Sequence, residues 1–236
     1  MDNNTFVLAT NKAWHIAVFN QRVQYYPGRW LLLENPRDLN LPFVHTYQPR
    51  YIFFPHWSER VPTCILEATQ CVCFHESDVP FGRGGSPIQN LIVRGHKNTV
   101  ISALQMVDEL DAGPVYCKEA LALNGSAQEI FERSAIIIAE MIRKIVSENP
   151  IPQPQKGKAV VFKRRQPEQS RLHNHYQHLE QVYDHIRMLD ADGYPRAFIE
   201  LGNLRLQFCD ATKTQNGLQA RVVISEINPE KTAIHD

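Results

Sequence analysis

The chain has 236 residues, 43% of them hydrophobic, and 25 basic side chains balance 25 acidic ones. That length supports one well-buried core with a small appendage. A net charge of zero offers no cationic field to a polyanion such as tRNA or to an anionic membrane surface, so nucleic acid is disfavoured as a partner. Asp2 stands where a signal peptide carries positive charge, and no apolar run approaches the ~18 residues of a membrane span, so a cytoplasmic setting without a membrane is expected.

In chain order, TFVLAT, WLLLE, RYIFF and QCVCF are the strand candidates, with amphipathic stretches KAWHIAVFNQRV and WSERVPTCILEAT between them as helices. This alternation is how a parallel sheet with crossover helices is written. Pro55 and Pro80 are expected to close strands, because proline cannot continue a ladder. Gly82, Gly84 and Gly85 form a turn, and Ser86 followed by Pro87 has the chemistry of a helix start for IQNLIVRG. TVISALQMV and PVYCKEALAL read as two more strands about a turn at residues 111–113. The clearest helix is SAQEIFERSAIIIAEMIRKIVSENP, with a capping box at Ser126 and Glu129 and a stop at Pro150. IPQPQKGKA, rich in proline and without period, reads as a surface traverse. Beyond it the basic run 163–165 reads as a solvated arm, followed by a helix, LEQVYDHIRMLD, and strands AFIELG, LRLQFCD and ARVVIS. The organisation is therefore a core over 1–155 and a linker with a small α+β subdomain over 156–236.

The cysteines at 64, 71, 73, 117 and 209 form no CxxC pair, and an odd number suits a reducing compartment. The ten histidines include no HExxH, and no metal site is expected. In VCFHESDVP a histidine closes an apolar strand just before a loop, the position where open parallel sheets bind ligands. Strand alternation puts Cys73 on the face of His75 and turns Phe74 away. A backbone-bonded loop histidine is the competing reading. GRGGS matches neither the P-loop nor the dinucleotide fingerprint, leaving a mobile loop in which Arg83 pairs an anion, or else a tight turn with a solvated arginine. In VDELDAGPVY, Asp108, Glu109 and Asp111 cluster between strands. Asp111 is either a turn former or the acid–base partner of His75.

FHESDVPFGRGGSP, followed downstream by LDAGPVY, resembles the catalytic core of the folate-dependent formyltransferases, whose pattern is Asn-x-His, a Ser-Leu-Leu-Pro-x-x-x-Gly type loop, then Asp-x-Gly. VYDHIRMLDADGYPRAF resembles the start of the C-terminal subdomain of the methionyl-tRNA and sugar enzymes, so the resemblance spans about residues 50–210. It implies an α/β fold, a Rossmann-like core with a parallel-rich sheet plus a small barrel-like C-terminal α+β subdomain. It implies further that His75 is the catalytic histidine, that Asp111 is its carboxylate partner, and that N10-formyltetrahydrofolate is the formyl donor. Cys73 stands where the family has its asparagine, and a thiol is a poor donor to a formyl oxygen, so His56, Gln89 and Asn90 become candidates for that task. The pterin is expected against Phe54, Pro55, His56, Asp108 and Gly113, and the acceptor against Arg83, Gly84, Gly85, Gln89 and Asn90. Among acceptors, the amine of a nucleotide-linked sugar fits best, with Arg83 and Arg94 for its diphosphate and Trp14, Trp57 or Tyr194 for stacking. A formyltetrahydrofolate hydrolase, or a folate- or nucleotide-binding module without turnover, are the alternatives, and a homodimer is left open.

Overall fold

The structure, a computed structural model, describes residues 4–227. Its first half alternates strand and helix as the apolar periodicity predicts: β1 (Thr5–Ala9), α1 (Ala13–Gln21), β2 (Arg29–Leu33), α2 (Leu41–Tyr47), β3 (Tyr51–Pro55), α3 (Thr63–Ala68) and β4 (Gln70–His75). There follow β5 (Phe81–Gly84), α4 (Pro87–Val93), β6 (Asn98–Gln105), β7 (Val115–Ala122), α5 (Ala127–Glu148) and β8 (Val160–Phe162). The last third holds α6 (Leu179–Arg187), β9 (Ala197–Leu201), β10 (Leu204–Thr214) and β11 (Gly217–Glu226).

Six strands make the central sheet in the order β2-β1-β3-β4-β6-β7. The first four are parallel, whereas β6 runs antiparallel to both β4 and β7. The parallel-rich sheet expected from sequence is present, and both antiparallel pairings belong to β6. Pairing of β5 with β8 keeps the chain at the carboxyl end of β4, so the next sheet strand starts there and runs back.

Both faces of the sheet are covered, which is why its strands read as nearly continuous apolar runs. Phe6, Leu8, Phe53, Val72 and Phe74 pack with α1, α4 and α5 on one face, and Val7, Ala9, Ile52, Phe54 and Cys71 with α2 and α3 on the other. α5 supplies the longest apolar stripe, burying Ile130, Phe131, Ile138, Met141, Ile142 and Ile145, each worth ~2 kcal/mol relative to exposure. Its start is the capping box expected from sequence, with Ser126 Oγ accepting from the Glu129 amide and Glu129 Oε2 accepting from the Ser126 amide.

Other local expectations change. The helix expected over WSERVPTCILEAT is confined to α3, since a proline disfavours helix in the residue before it and Pro62 sits immediately upstream. Pro80 follows a cis peptide bond and leads into β5 instead of closing β4. Ser86 precedes α4, but its hydroxyl accepts from the Arg165 amide and leaves the helix uncapped.

β9, β10 and β11 form an antiparallel sheet against which α6 packs. This unit shares the main core through Ile186, Met188, Leu189 and Ala191. Buried Arg187 donates to the carbonyls of Leu123 (2.6 Å) and Gly125 (2.8 Å), and Gln89 Nε2 donates to the Met188 carbonyl (3.2 Å). Polar backbone that would otherwise be orphaned at the junction is thereby satisfied.

Candidate active site

β3 and β4 end side by side, with Phe54 opposite Cys73 and Pro55 opposite Phe74. The next residue of β3's path, His56, turns off with φ of 50°, while His75 is the last residue of β4. Two histidines therefore stand at the carboxyl edge of adjacent parallel strands, where such sheets place ligands.

His75 is buried, with Nε2 2.7 Å from the Gly82 carbonyl and Nδ1 3.5 Å from Asp111 Oδ2. Each ring nitrogen thus faces an oxygen acceptor. Asp111 reaches this place because the loop after β6 folds back across the sheet, beginning where the Met106 amide donates to the Cys71 carbonyl. The same Asp111 Oδ2 accepts the Gly84 amide at 2.9 Å, which ties the β5 strand to the His75 partner. Asp111 has φ of 53°, a left-handed backbone that aspartate tolerates better than most residues.

Gln155 holds that loop. Its Nε2 donates to the carbonyls of Asp111 and Gly113, both at 2.8 Å, and its Oε1 accepts from Arg83 Nε (3.0 Å) and Nη2 (2.9 Å). Arg83 also bonds Glu109 at 3.2 Å.

The second histidine has its own partners. His56 Nδ1 lies 2.7 Å from His15 Nε2, with the Trp14 indole donating at 3.5 Å, and His56 Nε2 lies 2.9 Å from Glu76 Oε1. Ser134 of α5 donates to that same carboxylate oxygen at 3.3 Å. Burial, then the neighbouring His56 and Lys12, lowers the His15 pKa well below its usual value, so the ring is neutral. Burial opposes charge on Glu76, but His56 beside it, with His75 further off, keeps the carboxyl below its ordinary range. Cys73 is pushed up, first by burial and then by the Asp111 charge, and is held as a thiol.

His56, Cys73, His75, Glu76 and Asp111 line a cleft of about 790 Å³. Phe54, Trp57, Leu66, Leu104 and Met106 contribute apolar lining, and residues 84–89, Arg164 and Arg165, and residues 193–195 contribute further parts of the wall. Among the described residues only Asp190, Cys209 and Asp210 bring three possible metal ligands together; Cys209 and Asp210 belong to β10 and Asp190 follows α6. Those carboxylates already face Arg196 (3.8 Å), Arg221 (2.6 Å) and the Asp210 amide (2.7 Å).

Residues 167–225 match the profile described as methionyl-tRNA formyltransferase, C-terminal domain. The chain is similar to a solved methionyl-tRNA formyltransferase from Clostridium thermocellum, with 43% identity and a TM-score of 0.89 over 94% of this chain and 99% of that one. The chain belongs to the formyltransferase family.

Methionyl-tRNA formyltransferase from Lactobacillus acidophilus is 29% identical over 180 residues, 72% of this chain and 56% of that protein. This formyltransferase spans about half the length of the curated relatives it matches. A sugar N-formyltransferase from Shewanella, at 12% identity and TM-score 0.66 over 89% of this chain and 98% of that one, shares the fold.

In this formyltransferase Phe54, His56, Cys73, His75, Gly84, Gly85, Gln89, Asp108, Asp111 and Gly113 all line the cleft, whereas Pro55, Arg83 and Asn90 do not. Arg83 and Arg94, expected to meet an anion, are committed to protein: Arg83 to Gln155 and Glu109, Arg94 to the Asn90 carbonyl at 2.7 Å and the Phe162 ring. Asn90 Nδ2 donates to the carbonyls of Gly85, Ser86 and Lys163. Asp108 accepts from Thr63 at 2.8 Å. Trp14 is buried, stacked on Phe131, while Trp57 and Tyr194 reach the cleft.

The glycine stretch is a strand, not a mobile loop. Cβ atoms at Gly84 and Gly85 would lie 2.4 Å from the Phe162 carbonyl oxygen and 2.5 Å from Arg164 Cα, so only glycine lets the 162–164 backbone come this close. In the basic run Lys163 and Arg164 are exposed, whereas Arg165 is half-buried: it donates to the Gln169 carbonyl at 2.6 Å, and its Nε is buried without a partner. Glu76 and Gln155 carried no role from the sequence, and Arg164 and Arg165 were read there only as part of a solvated arm. A carboxylate next to the strand-end histidine was the one available signal for Glu76, whereas the others depend on long-range contacts.

Proposed function

We propose that this formyltransferase moves a formyl group from N10-formyltetrahydrofolate to the amine of a nucleotide-linked amino sugar. The observation that carries the chemistry is His75, set between Gly82 O and Asp111 Oδ2 on the cleft wall. Formyl transfer forms one bond from amine nitrogen to formyl carbon, breaks the bond to N10, and moves a proton from the amine to N10. A histidine fixed by a carboxylate is suited to hold or move that proton at a defined atom. Asp111 orients the imidazole and offsets positive charge that develops on the ring as it handles the proton.

The cleft fits a folate. Phe54, Trp57, Leu66 and Leu104 offer a flat heteroaromatic ring an apolar slot, and Trp57 Nε1 is a buried donor without a partner. Asp108 and Gly113 lie along the same wall. When bound, the folate supplies the formyl carbon. Cys73, a neutral thiol, is a weak donor there, so stabilisation of the formyl oxygen rests on His75.

A net charge of zero favours a small acceptor over tRNA. Arg164, Arg165, Trp57 and Tyr194 replace Arg83 and Arg94 as groups for a nucleotide diphosphate and its base. Methionyl-tRNA is the second reading, favoured by the 43% identity to the Clostridium thermocellum enzyme.

The test supplies N10-formyltetrahydrofolate with a panel of thymidine- and uridine-diphosphate-linked amino sugars and, separately, methionyl-tRNA. Formylated product is measured with wild type and His75→Ala. Product from a sugar, abolished in the variant, supports the reading; product from methionyl-tRNA alone replaces the acceptor. Tetrahydrofolate released without any formylated amine makes the protein a hydrolase.

A further inference from the structure

The pair Glu76 and His56 is left unused by the chemistry above. We propose that Glu76, oriented by His56 and His15, is a second general base of the cleft and takes the proton from the acceptor's amine. This rests on the formyl-transfer reading and assigns the amine side of that reaction.

Glu76 lines the cleft directly after His75, yet its carboxyl is directed differently. Asp111 approaches His75 on the loop that lies over Cys71, on the α2 and α3 side of the sheet. Glu76 is met by Ser134 of α5 and, through His56, by His15 of α1, on the other side. Two carboxylate–histidine pairs therefore converge on one cleft from opposite faces of the sheet. A formyl carbon between a departing N10 and an arriving amine needs one proton delivered and one removed, on opposite sides.

The hydrogen bonds have one consistent direction. The Trp14 indole is a donor only, so His56 Nδ1 accepts, and His15 Nε2–H donates to the same atom. His56 then carries its proton on Nε2, the atom 2.9 Å from Glu76 Oε1. With Ser134 also donating to Oε1, the substrate's proton is assigned to Oε2. Other ionisable groups facing Glu76 are His75, Cys73 and Tyr194, with Lys12 beyond His15 and Arg164 beyond Tyr194. Burial raises the Tyr194 pKa to about 12, and Cys73 is likewise held neutral. Neither competes for the proton at neutral pH.

In the step, the amine nitrogen's electron pair forms the bond to the formyl carbon and its proton passes to Glu76, giving a carboxylic acid. The bond to N10 breaks with its electron pair going to N10, which takes a proton from His75. Solvent in the open cleft returns Glu76 and His75 to their starting states.

The experiment measures kcat and KM for wild type, Glu76→Gln and His56→Gln from about pH 6 to pH 10, with N10-formyltetrahydrofolate and whichever panel acceptor wild type formylates. Tetrahydrofolate affinity is followed by fluorescence. The expected result is a kcat about 100-fold lower in Glu76→Gln near neutral pH, at unchanged folate affinity. The deficit shrinks at high pH, where hydroxide replaces the missing base, and His56→Gln shows the same pattern with a smaller loss. His56→Gln decides the matter alone if Glu76→Gln does not fold. A kcat within about threefold of wild type, or a loss equal at every pH, overturns the inference while leaving formyl transfer standing. Absence of transfer by wild type to any acceptor removes both.

Discussion

Replacing Gln155 by alanine tests whether the His75–Asp111 geometry is imposed from outside the strand ends. The side chain makes four hydrogen bonds, two from the Arg83 guanidinium and two to the carbonyls of Asp111 and Gly113. At about 1 kcal/mol net each, their loss comes to roughly 4 kcal/mol, and water entering this part-buried site returns some of it, leaving a cost of about 2–3 kcal/mol. For a chain of this size that lowers Tm by about 4–12 °C. Activity is expected to fall further than stability. Asp111 has left-handed backbone and reaches His75 across 3.5 Å, so a displacement of about 1 Å on release of its carbonyl costs on the order of 100-fold in kcat. Thermal unfolding and formyl transfer are measured on the same preparation, with Gln155→Glu as a control. The control keeps an acceptor for Arg83 but sets a carboxylate oxygen against two carbonyls, so it too loses activity. A Tm within about 1 °C of wild type and activity within about twofold in Gln155→Ala would refute the clamp.

Asp111→Asn keeps the shape but removes the charge facing His75, and kcat is expected to fall about 100-fold or more with tetrahydrofolate affinity retained; unchanged kcat would end the pairing with His75. Ser126→Ala removes the capping box of α5 and is expected to cost about 1 kcal/mol, a Tm decrease of about 2–4 °C by calorimetry. His185 is buried and its pKa lowered to about 4, mainly by burial, so its neutral form belongs to the fold. The unfolded chain binds that proton below its ordinary value near 6.5, so this contribution is full above that pH and is lost as pH falls toward the folded value. Urea unfolding is expected to show about 2 kcal/mol less stability from this group at about pH 5 than at about pH 7.5, and no such slope in His185→Gln.

Much of the core was legible because its information is local. The four parallel strands are apolar runs covered on both faces, α5 carries a period, a cap and a stop, and His75 could be placed at a strand end from Pro and Gly punctuation alone. α2 went unread although Asn40 caps it and Pro42 sits in its first turn, a signal present but short. What stayed hidden is held by residues distant in sequence. Gly84 and Gly85 spell a turn until residues 160–164 are laid against them, and only then does FGRG become a strand. Arg83 looks free for an anion until Gln155, 72 positions later, occupies it. His56 read as a candidate for the formyl oxygen and the pterin, and its pairing with His15, 41 positions earlier, and with Glu76 stayed hidden.

The cleft wall formed by Arg164, Arg165 and residues 193–195 has a consequence for the timing of synthesis. The strand-end histidines and their carboxylates are encoded in the first 111 residues, but this part of the wall is translated much later. A ribosome-bound chain can hold a folded sheet and still lack part of its pocket. Ligand affinity in a nascent chain should therefore rise in a step once the segment through Pro195 has cleared the exit tunnel, which makes substrate capture a late event in the life of each new copy.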